Sequence, residues 1–224
     1  MKAMILAAGR GERMHPLTLT KPKPLLYAAG KPLIEYCIEN LVKAGLTEIV
    51  INLSHLGHLI QDYCQSGERW GAKIQYSEEG EIPLETAGGI AFALDRLGPE
   101  PFLVINADII CDYPLETLHQ KSIDLAHLVM ISNPAHHPEG DFAISNGLLS
   151  HSGSEKLTFS GIGVYHPDLF AGIKPGPLKM RPILNQAIDQ NRISGELFDG
   201  LWMDIGTPDR LREIDELLIK QGAG

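Results

Sequence analysis

The sequence lacks the features that define several large classes of protein. Its three cysteines are an odd number, lie far apart and form no C-x-x-C pair, so they match neither a disulfide framework nor a zinc framework. No apolar run approaches the length of a membrane span, and no basic stretch followed by an apolar one resembles a signal peptide. We therefore expect a cytoplasmic protein with reduced thiols and no membrane partner.

Net positive charge is also missing. The 224 residues carry a formal charge of −9, which argues against nucleic acid as a partner. The charge is unevenly distributed, because residues 1–31 sum to about +5 and the remainder to about −14. The positive residues of that first segment, opposed by Glu12 alone, are Lys2, Arg10, Arg13, Lys21, Lys23 and Lys31. A basic segment in an acidic protein favours local attraction of a phosphate.

Two well-known glycine motifs for nucleotides are absent as well. No Gly-Lys-Ser/Thr follows a glycine at P-loop spacing, and Met14 stands where the dinucleotide fingerprint requires its third glycine. The sequence has instead the stretch Leu6–Leu25, LAAGRGERMHPLTLTKPKPL, after a short apolar strand predicted at Lys2–Ile5. Gly9 and Gly11 would let the backbone expose its N–H groups to a bulky anion.

The rest of this stretch is predicted to be a stiff, extended loop. Pro16, Pro22 and Pro24 disfavour a helix, and positive side chains lie between them. A strand that leads into a glycine turn with fixed cations indicates a polyphosphate site. A structural turn that happens to be basic is the alternative, and the register of cations and prolines disfavours it.

Hydrophobic periodicity predicts a single α/β domain over residues 1–224. The pattern alternates strands and helices, which predicts a mainly parallel, Rossmann-like central sheet with helices on both faces. A hairpin is predicted around Asn146-Gly147. Further strands are predicted at 48–53, 72–76, 102–105, 125–131 and 158–165, and helices at 33–42, 56–64, 90–97, 183–190 and 208–220.

Two aspartates follow apolar segments in which a lone carboxylate would be costly. Asp108 ends the strand predicted at 102–105, and Asp204 lies between Trp202 and Ile205. A helix N-cap is another role for Asp204, although Thr207 before Pro208 is better placed for it. Mg²⁺ prefers one or two carboxylates together with phosphates and water, so we interpret the two aspartates as a magnesium pair.

Three segments together resemble the sugar-1-phosphate nucleotidyltransferases. They are L-A-A-G-x-G-x-R-x-x-P-L-T with P-K-P-L in Leu6–Leu25, Asn106-Ala107-Asp108, and Trp202-Met203-Asp204-Ile205-Gly206-Thr207-Pro208. The resemblance implies transfer of a nucleotidyl group from a nucleoside triphosphate to a sugar 1-phosphate, with release of pyrophosphate. Some members carry a second domain of hexapeptide repeats, which we do not expect here.

The resemblance also implies roles for individual residues. Arg13 would bind the triphosphate and the leaving pyrophosphate, and Lys23 the reacting α-phosphate. Asp108 and Asp204 would bind Mg²⁺. Asn106 and Asp141, each polar and beside a strand end or a turn, are candidates for hydrogen bonding to the sugar, and ordinary loop polarity is the alternative. The expected nucleotide-binding set is Ala8, Gly9, Gly11, Glu12, Arg13, Lys23, Gly80 and Glu85.

Some positions depart from the common family pattern. Glu85 replaces a glycine usual in relatives, and Glu155-Lys156 is followed by leucine where many relatives have the proline of E-K-P. The segments P-L-E-T-A-G-G-I, His137–Phe142 and T-F-S-G-I-G-V-Y resemble instead the N-acetylmuramate 1-phosphate uridylyltransferases of peptidoglycan recycling. UTP is therefore the expected nucleotide. Guanylyl or thymidylyl transfer to mannose, heptose or glucose 1-phosphate is an alternative, as is a non-catalytic nucleotide-sugar-binding regulator. Both monomer and dimer remain open.

Overall fold

The computed structural model describes residues 1–80, 83–153, 155–174 and 176–222, which form an α/β fold. The helices are α1 (Leu33–Lys43), α2 (Gly57–Cys64), α3 (Glu85–Leu97), α4 (Met180–Asp189) and α5 (Pro208–Lys220). The strands are β1 (Ala3–Leu6), β2 (Tyr27–Ala28), β3 (Lys31–Pro32), β4 (Glu48–Leu53), β5 (Lys73–Glu78), β6 (Phe102–Asn106), β7 (Ile109–Cys111), β8 (Ala126–Ile131), β9 (Ala143–Ser145), β10 (Leu148–Ser150), β11 (Thr158–Tyr165), β12 (Ile193–Phe198) and β13 (Trp202–Asp204).

Nine of these strands form one sheet in the order β5-β4-β1-β6-β11-β8-β12-β10-β9. The run from β5 to β6 is parallel, and β8 pairs with β12 in parallel. Only β11 and β10 of this sheet run in the opposite direction. The predicted α/β fold with a mainly parallel sheet is confirmed.

The sheet is covered on both faces because side chains alternate along its strands. On β1, Ala3 and Ile5 lie in a cluster with residues of α1 and α2, whereas Met4 lies in a second cluster with residues of α3 and α4. A third cluster packs α5 against Met14 of the loop Leu6–Leu25 and against Ile205, which follows β13. None of the helices in the described ranges is both long and apolar enough to cross a membrane.

Element boundaries differ from the prediction where glycine or proline is present. Helix α3 begins at Glu85, before the predicted start at residue 90. Its first turns contain Gly88 and Gly89, which local propensity places outside a helix. Both glycines are buried, and a Cβ on either would collide with neighbouring atoms, so tertiary packing favours glycine there. Helix α4 begins at Met180, since a proline is tolerated in a first turn. The loop predicted to be stiff and extended contains two short 3₁₀ turns, Glu12–Met14 and Lys23–Leu25. Strand β12, which the sequence did not predict, pairs with β8.

The predicted hairpin is present between β9 and β10. Asn146 and Gly147 both adopt positive φ, at 51° and 77°, as a tight two-residue turn requires.

Candidate active site

A cavity of about 550 Å³ lies at the carboxyl ends of β1 and β6. Ligands of open α/β sheets bind at this edge, because the loops that follow the strands converge there. The structure brings together nine of the residues predicted from the sequence. They are Ala8, Gly9, Gly11, Glu12, Arg13, Lys23, Glu85, Asn106 and Asp108.

The glycine loop lies open toward this cavity. Gly11 has φ +65°, and a Cβ there would lie 3.1 Å from Thr18 Cγ2 and 3.2 Å from Lys23 Cβ, so its own surroundings require glycine. A Cβ on Gly9 would meet no chain atom within 4 Å. The backbone N–H groups of residues 8–13 donate to no carbonyl group of the described chain. The loop therefore presents unpaired donors to the cavity.

Lys23 and Asp108 form an ion pair inside the cavity. Lys23 begins a 3₁₀ turn between Pro22 and Pro24, and its Nζ contacts the carboxylate of Asp108. The two side chains are 12% and 25% exposed, so water screens this pair only in part. An ammonium group has three donors, which leaves Lys23 able to bind a phosphate oxygen as well.

Asp204 lies beside this pair on the neighbouring strand β13. The backbone N–H of Ile205 donates to the carbonyl of Asp108 at 2.8 Å, which joins the two segments. The Asp204 carboxylate pairs with Arg210, and its Oδ1 lies 3.1 Å from Nε2 of His136. Each aspartate therefore has a cationic partner, so neither carboxylate requires a metal ion to balance its charge. Thr207 caps α5, as its position suggested.

Gly206 explains how two guanidinium groups fit at this edge. It lines the cavity, although Asp204 does not. A Cβ on Gly206 would collide with the guanidinium of Arg210 and lie 3.2 Å from an Nη of Arg13. Glycine at this position leaves room for Arg13 beside Arg210.

Besides Asp204, two further predicted residues, Gly80 and Asp141, lie outside the main cavity. Gly80 lines a neighbouring cavity together with Arg10, and its carbonyl accepts a hydrogen bond from Ser54 Oγ at 3.0 Å. Asp141 lines a smaller cavity of about 270 Å³, which shares Leu6, Thr86 and Asn106 with the main one. Residues 81 and 82, which follow Gly80, lie outside the described residues.

The unusual Glu85 occupies a backbone position that favours glycine. Its φ is +59°, in the left-handed region, and its side chain is exposed at the start of α3. Glycine adopts this conformation without the Cβ penalty, which gives a physical reason for the glycine usual in relatives.

Burial keeps Cys37 in its neutral form. Burial raises the pKa of the Cys37 thiol, and the neighbouring Cys111 and Asp108 raise it further, although a hydrogen bond with the backbone of Ile109 lowers it. A thiol so far from ionisation is a poor nucleophile.

A chain of hydrogen bonds not predicted from the sequence fixes the walls of the cavity. Asn52, 3% exposed at the end of β4, accepts a hydrogen bond from the N–H of Ala7 at 2.7 Å and donates to Glu79 Oε1 at 2.6 Å. Glu79 Oε2 in turn accepts from the N–H of Leu84 at 2.9 Å. Asn52 is a polar residue at the carboxyl end of an apolar strand, and that position could have marked it in the sequence.

Replacing Asn52 with leucine is expected to lower the free energy of unfolding by about 1–3 kcal/mol, because the buried N–H of Ala7 loses its only acceptor in the described structure. Urea denaturation followed by circular dichroism measures this change. Ser54→Ala, which removes only an exposed hydrogen bond, should stay within about 0.5 kcal/mol of the wild type. Equal stabilities for Asn52→Leu and wild type would contradict the proposed role of Asn52.

The fold and the cavity define an α/β domain with a basic glycine loop at the carboxyl end of its first strand. Residues 2–146 match the family model described as nucleotidyl transferase. The N-acetylmuramate alpha-1-phosphate uridylyltransferase of Neisseria meningitidis serogroup B is 49% identical to the chain, over 97% of this chain and 98% of that protein. The chain therefore belongs to the sugar-1-phosphate nucleotidyltransferase family, as its motifs indicated.

More distant comparisons agree with this assignment. The mannose-1-phosphate guanylyltransferase catalytic subunit beta of Dictyostelium discoideum is 33% identical over 93% of this chain, which spans 62% of that relative's length. The crystal structure of a putative glucose-1-phosphate thymidylyltransferase from Bacillus anthracis, in complex with a sucrose, has a TM-score of 0.84. It shares 23% identity and covers 97% of this chain and 94% of its own, so it supports the fold alone.

Proposed function

We propose that this protein transfers the uridylyl group of UTP to N-acetylmuramate 1-phosphate, in a Mg²⁺-dependent reaction that yields the UDP-sugar and pyrophosphate. The observation that carries the proposal is 49% identity over nearly the full length of both chains to a uridylyltransferase for this sugar. The guanylyltransferase relative is 33% identical and is matched over 62% of its length, which favours the uridylyl reaction over the guanylyl one. The proposal places the reaction in the cytoplasm, in peptidoglycan recycling.

The reaction needs alignment and charge neutralisation more than acid–base chemistry. An oxygen of the sugar phosphate attacks the α-phosphorus and forms a new P–O bond. The bond from the α-phosphorus to the oxygen that bridges to the β-phosphorus breaks, and its electron pair leaves with pyrophosphate. The second pKa of a phosphate monoester is about 6, so the attacking group is already ionised at neutral pH. The main barrier is the repulsion between two anions.

The cations of the cavity are suited to that task. Arg13 has a planar fork of donors for the β- and γ-phosphate oxygens and for the departing pyrophosphate. Lys23, fixed by its prolines and by Asp108, supplies a point charge for the α-phosphate. The open N–H groups of the loop, including those of Gly9 and Gly11, add uncharged donors for the same phosphates.

The two aspartates provide a suitable donor set for Mg²⁺. They supply hard carboxylate oxygens from segments joined by the hydrogen bond between Ile205 and Asp108. Asp108 and Asp204 would hold the ion, which supplies neutralisation of phosphate charge when bound. Lys23 pairs with Asp108 and Arg210 pairs with Asp204, so each carboxylate is held in position by a cation.

The remaining predicted residues complete the proposed binding sites. Ala8 and Glu85 line the main cavity and would contact the nucleotide, as would Gly80 from the neighbouring cavity. Asn106 lines both the main and the smaller cavity, whereas Asp141 lines the smaller one. We assign the smaller cavity to the sugar, because it adjoins the main cavity and shares Asn106 with it.

Pyrophosphate release tests the proposal. The purified protein is assayed with Mg²⁺ and UTP, dTTP, GTP, CTP or ATP, against N-acetylmuramate, N-acetylglucosamine, glucose, mannose and heptose 1-phosphates. Release that is greatest with UTP and N-acetylmuramate 1-phosphate is expected. Preference for another pair would retain the reaction and reject the substrates. Nucleotide binding without release across the panel would indicate a regulator.

A further inference from the structure

The smaller cavity combines an apolar lining with a cation at its edge. Among its lining residues in the described chain, Arg181 is the one with positive charge, and Asp141 is its ion-pair partner. The cavity also holds Asn106 and Thr86, which it shares with the phosphate-binding cavity. Its apolar wall is formed by Ile90, Val104, Phe159, Met180 and Leu184.

Arg181 is held in place while part of its donor set remains available. One Nη contacts the Asp141 carboxylate, and the other donates to the Asp141 carbonyl at 3.2 Å. The guanidinium carbon lies 4.3 Å from the centroid of the Phe142 ring, a cation–π distance. Asp141 is itself anchored, since its Oδ2 accepts from the N–H of Phe159 at 2.9 Å. Two of the five guanidinium N–H donors are thus used, and the side chain is 48% exposed.

A pre-positioned guanidinium with free donors is suited to bind a carboxylate, which it can hold through two parallel hydrogen bonds. Sugar 1-phosphates with a neutral sugar ring, such as glucose 1-phosphate, carry no carboxylate, and their phosphate is the only anionic group. N-acetylmuramate differs from N-acetylglucosamine only at the 3-position, where a lactyl ether carries a methyl group and a carboxylate. The apolar wall of the cavity matches the methyl groups of the acetyl and lactyl substituents.

We infer that Arg181 binds the lactyl carboxylate of the sugar substrate and thereby selects N-acetylmuramate 1-phosphate over N-acetylglucosamine 1-phosphate. This inference rests on the proposed function. Arg181 acts at a distance from the phosphorus that reacts, so it determines specificity and takes no part in the chemistry. Asp141 is a positioning residue that orients the guanidinium through its carboxylate and its carbonyl.

The test compares wild type, Arg181→Ala, Arg181→Lys and the control Arg192→Ala with both sugars and UTP. Arg192 is another exposed arginine that forms an ion pair with an aspartate, Asp124, and it lies outside the three cavities described above. Arg181→Ala is expected to raise KM for N-acetylmuramate 1-phosphate about 10- to 100-fold and to leave kcat for this sugar within about twofold. For N-acetylglucosamine 1-phosphate, both kcat and KM should stay within about twofold of the wild type. Arg181→Lys should recover part of the loss, and Arg192→Ala should match the wild type.

Calorimetric binding of UDP-N-acetylmuramate and UDP-N-acetylglucosamine provides a second readout that needs no turnover. The Arg181→Ala variant should lose affinity for the first product alone, and the lysine variant serves if the alanine variant does not fold. Equal losses for both sugars, or no loss for either, would overturn the inference while the proposed function stands. If wild-type protein failed to use N-acetylmuramate 1-phosphate, the proposed function would be rejected first and the inference with it.

Discussion

Replacing Lys23 with methionine is expected to lower kcat for nucleotidyl transfer about 100- to 1,000-fold, the usual effect of losing one group that stabilises transition-state charge. The side chain lies in the cavity at 12% exposure, where its charge is poorly screened by water. Methionine keeps most of the side-chain volume but leaves both Asp108 and the reacting phosphate without the ammonium. Steady-state pyrophosphate release with UTP measures the change.

Lys21→Met is the matched control for that experiment. It removes the same charge from the same loop, but the Lys21 ammonium lies 4.8 Å from the ring centroid of Tyr27, outside the main cavity. Its kcat should stay within about twofold of the wild type if Lys23 acts locally, since an exposed charge contributes little at physiological salt. Similar losses in both variants would show that the loop attracts phosphate through its overall charge, and the assigned role of Lys23 would be wrong.

The main cavity could be predicted from the sequence because most of its residues are close together in the chain. Gly9, Gly11, Arg13 and Lys23 lie on one loop after β1, and the rule for the carboxyl ends of strands then adds Asp108. Each inference needs only local backbone chemistry and the alternation of strands and helices. Asn52 obeys the same rule, and the prediction omitted it because no motif includes it.

The cationic partners of Asp204 and Asp141 could not be predicted in this way. Arg210 and His136 lie six and 68 positions from Asp204 in sequence, and Arg181 lies 40 positions from Asp141. Such pairings depend on how α4, α5 and the loop before β9 pack against the sheet, which composition and periodicity do not specify. The boundaries of α3 and α4 failed for a related reason: tertiary packing makes Gly88 and Gly89 favourable inside α3, where local propensity predicts a break.

Replacing Asp108 with asparagine separates the proposed catalytic role from binding. The amide keeps the size of the side chain but removes the charge that pairs with Lys23 and that would hold Mg²⁺. We expect kcat to fall about 100-fold or more, and the Mg²⁺ concentration for half-maximal rate to rise about 10-fold or more. Affinity for the UDP-sugar, measured by calorimetry without metal, should change much less.

Asp112→Asn is the control, because Asp112 follows β7, is exposed and is absent from the cavity lining. It should leave kcat and the Mg²⁺ dependence unchanged. The double variant Lys23→Met/Asp108→Asn then tests whether the two residues act as one unit. Residues that act together lose activity non-additively, so the double variant should be little worse than the poorer single variant. A full multiplicative loss in the double variant would mean that Lys23 and Asp108 stabilise the reacting phosphates independently. A wild-type kcat in the single variant Asp108→Asn would exclude Asp108 from the metal site and leave Asp204 without its proposed partner.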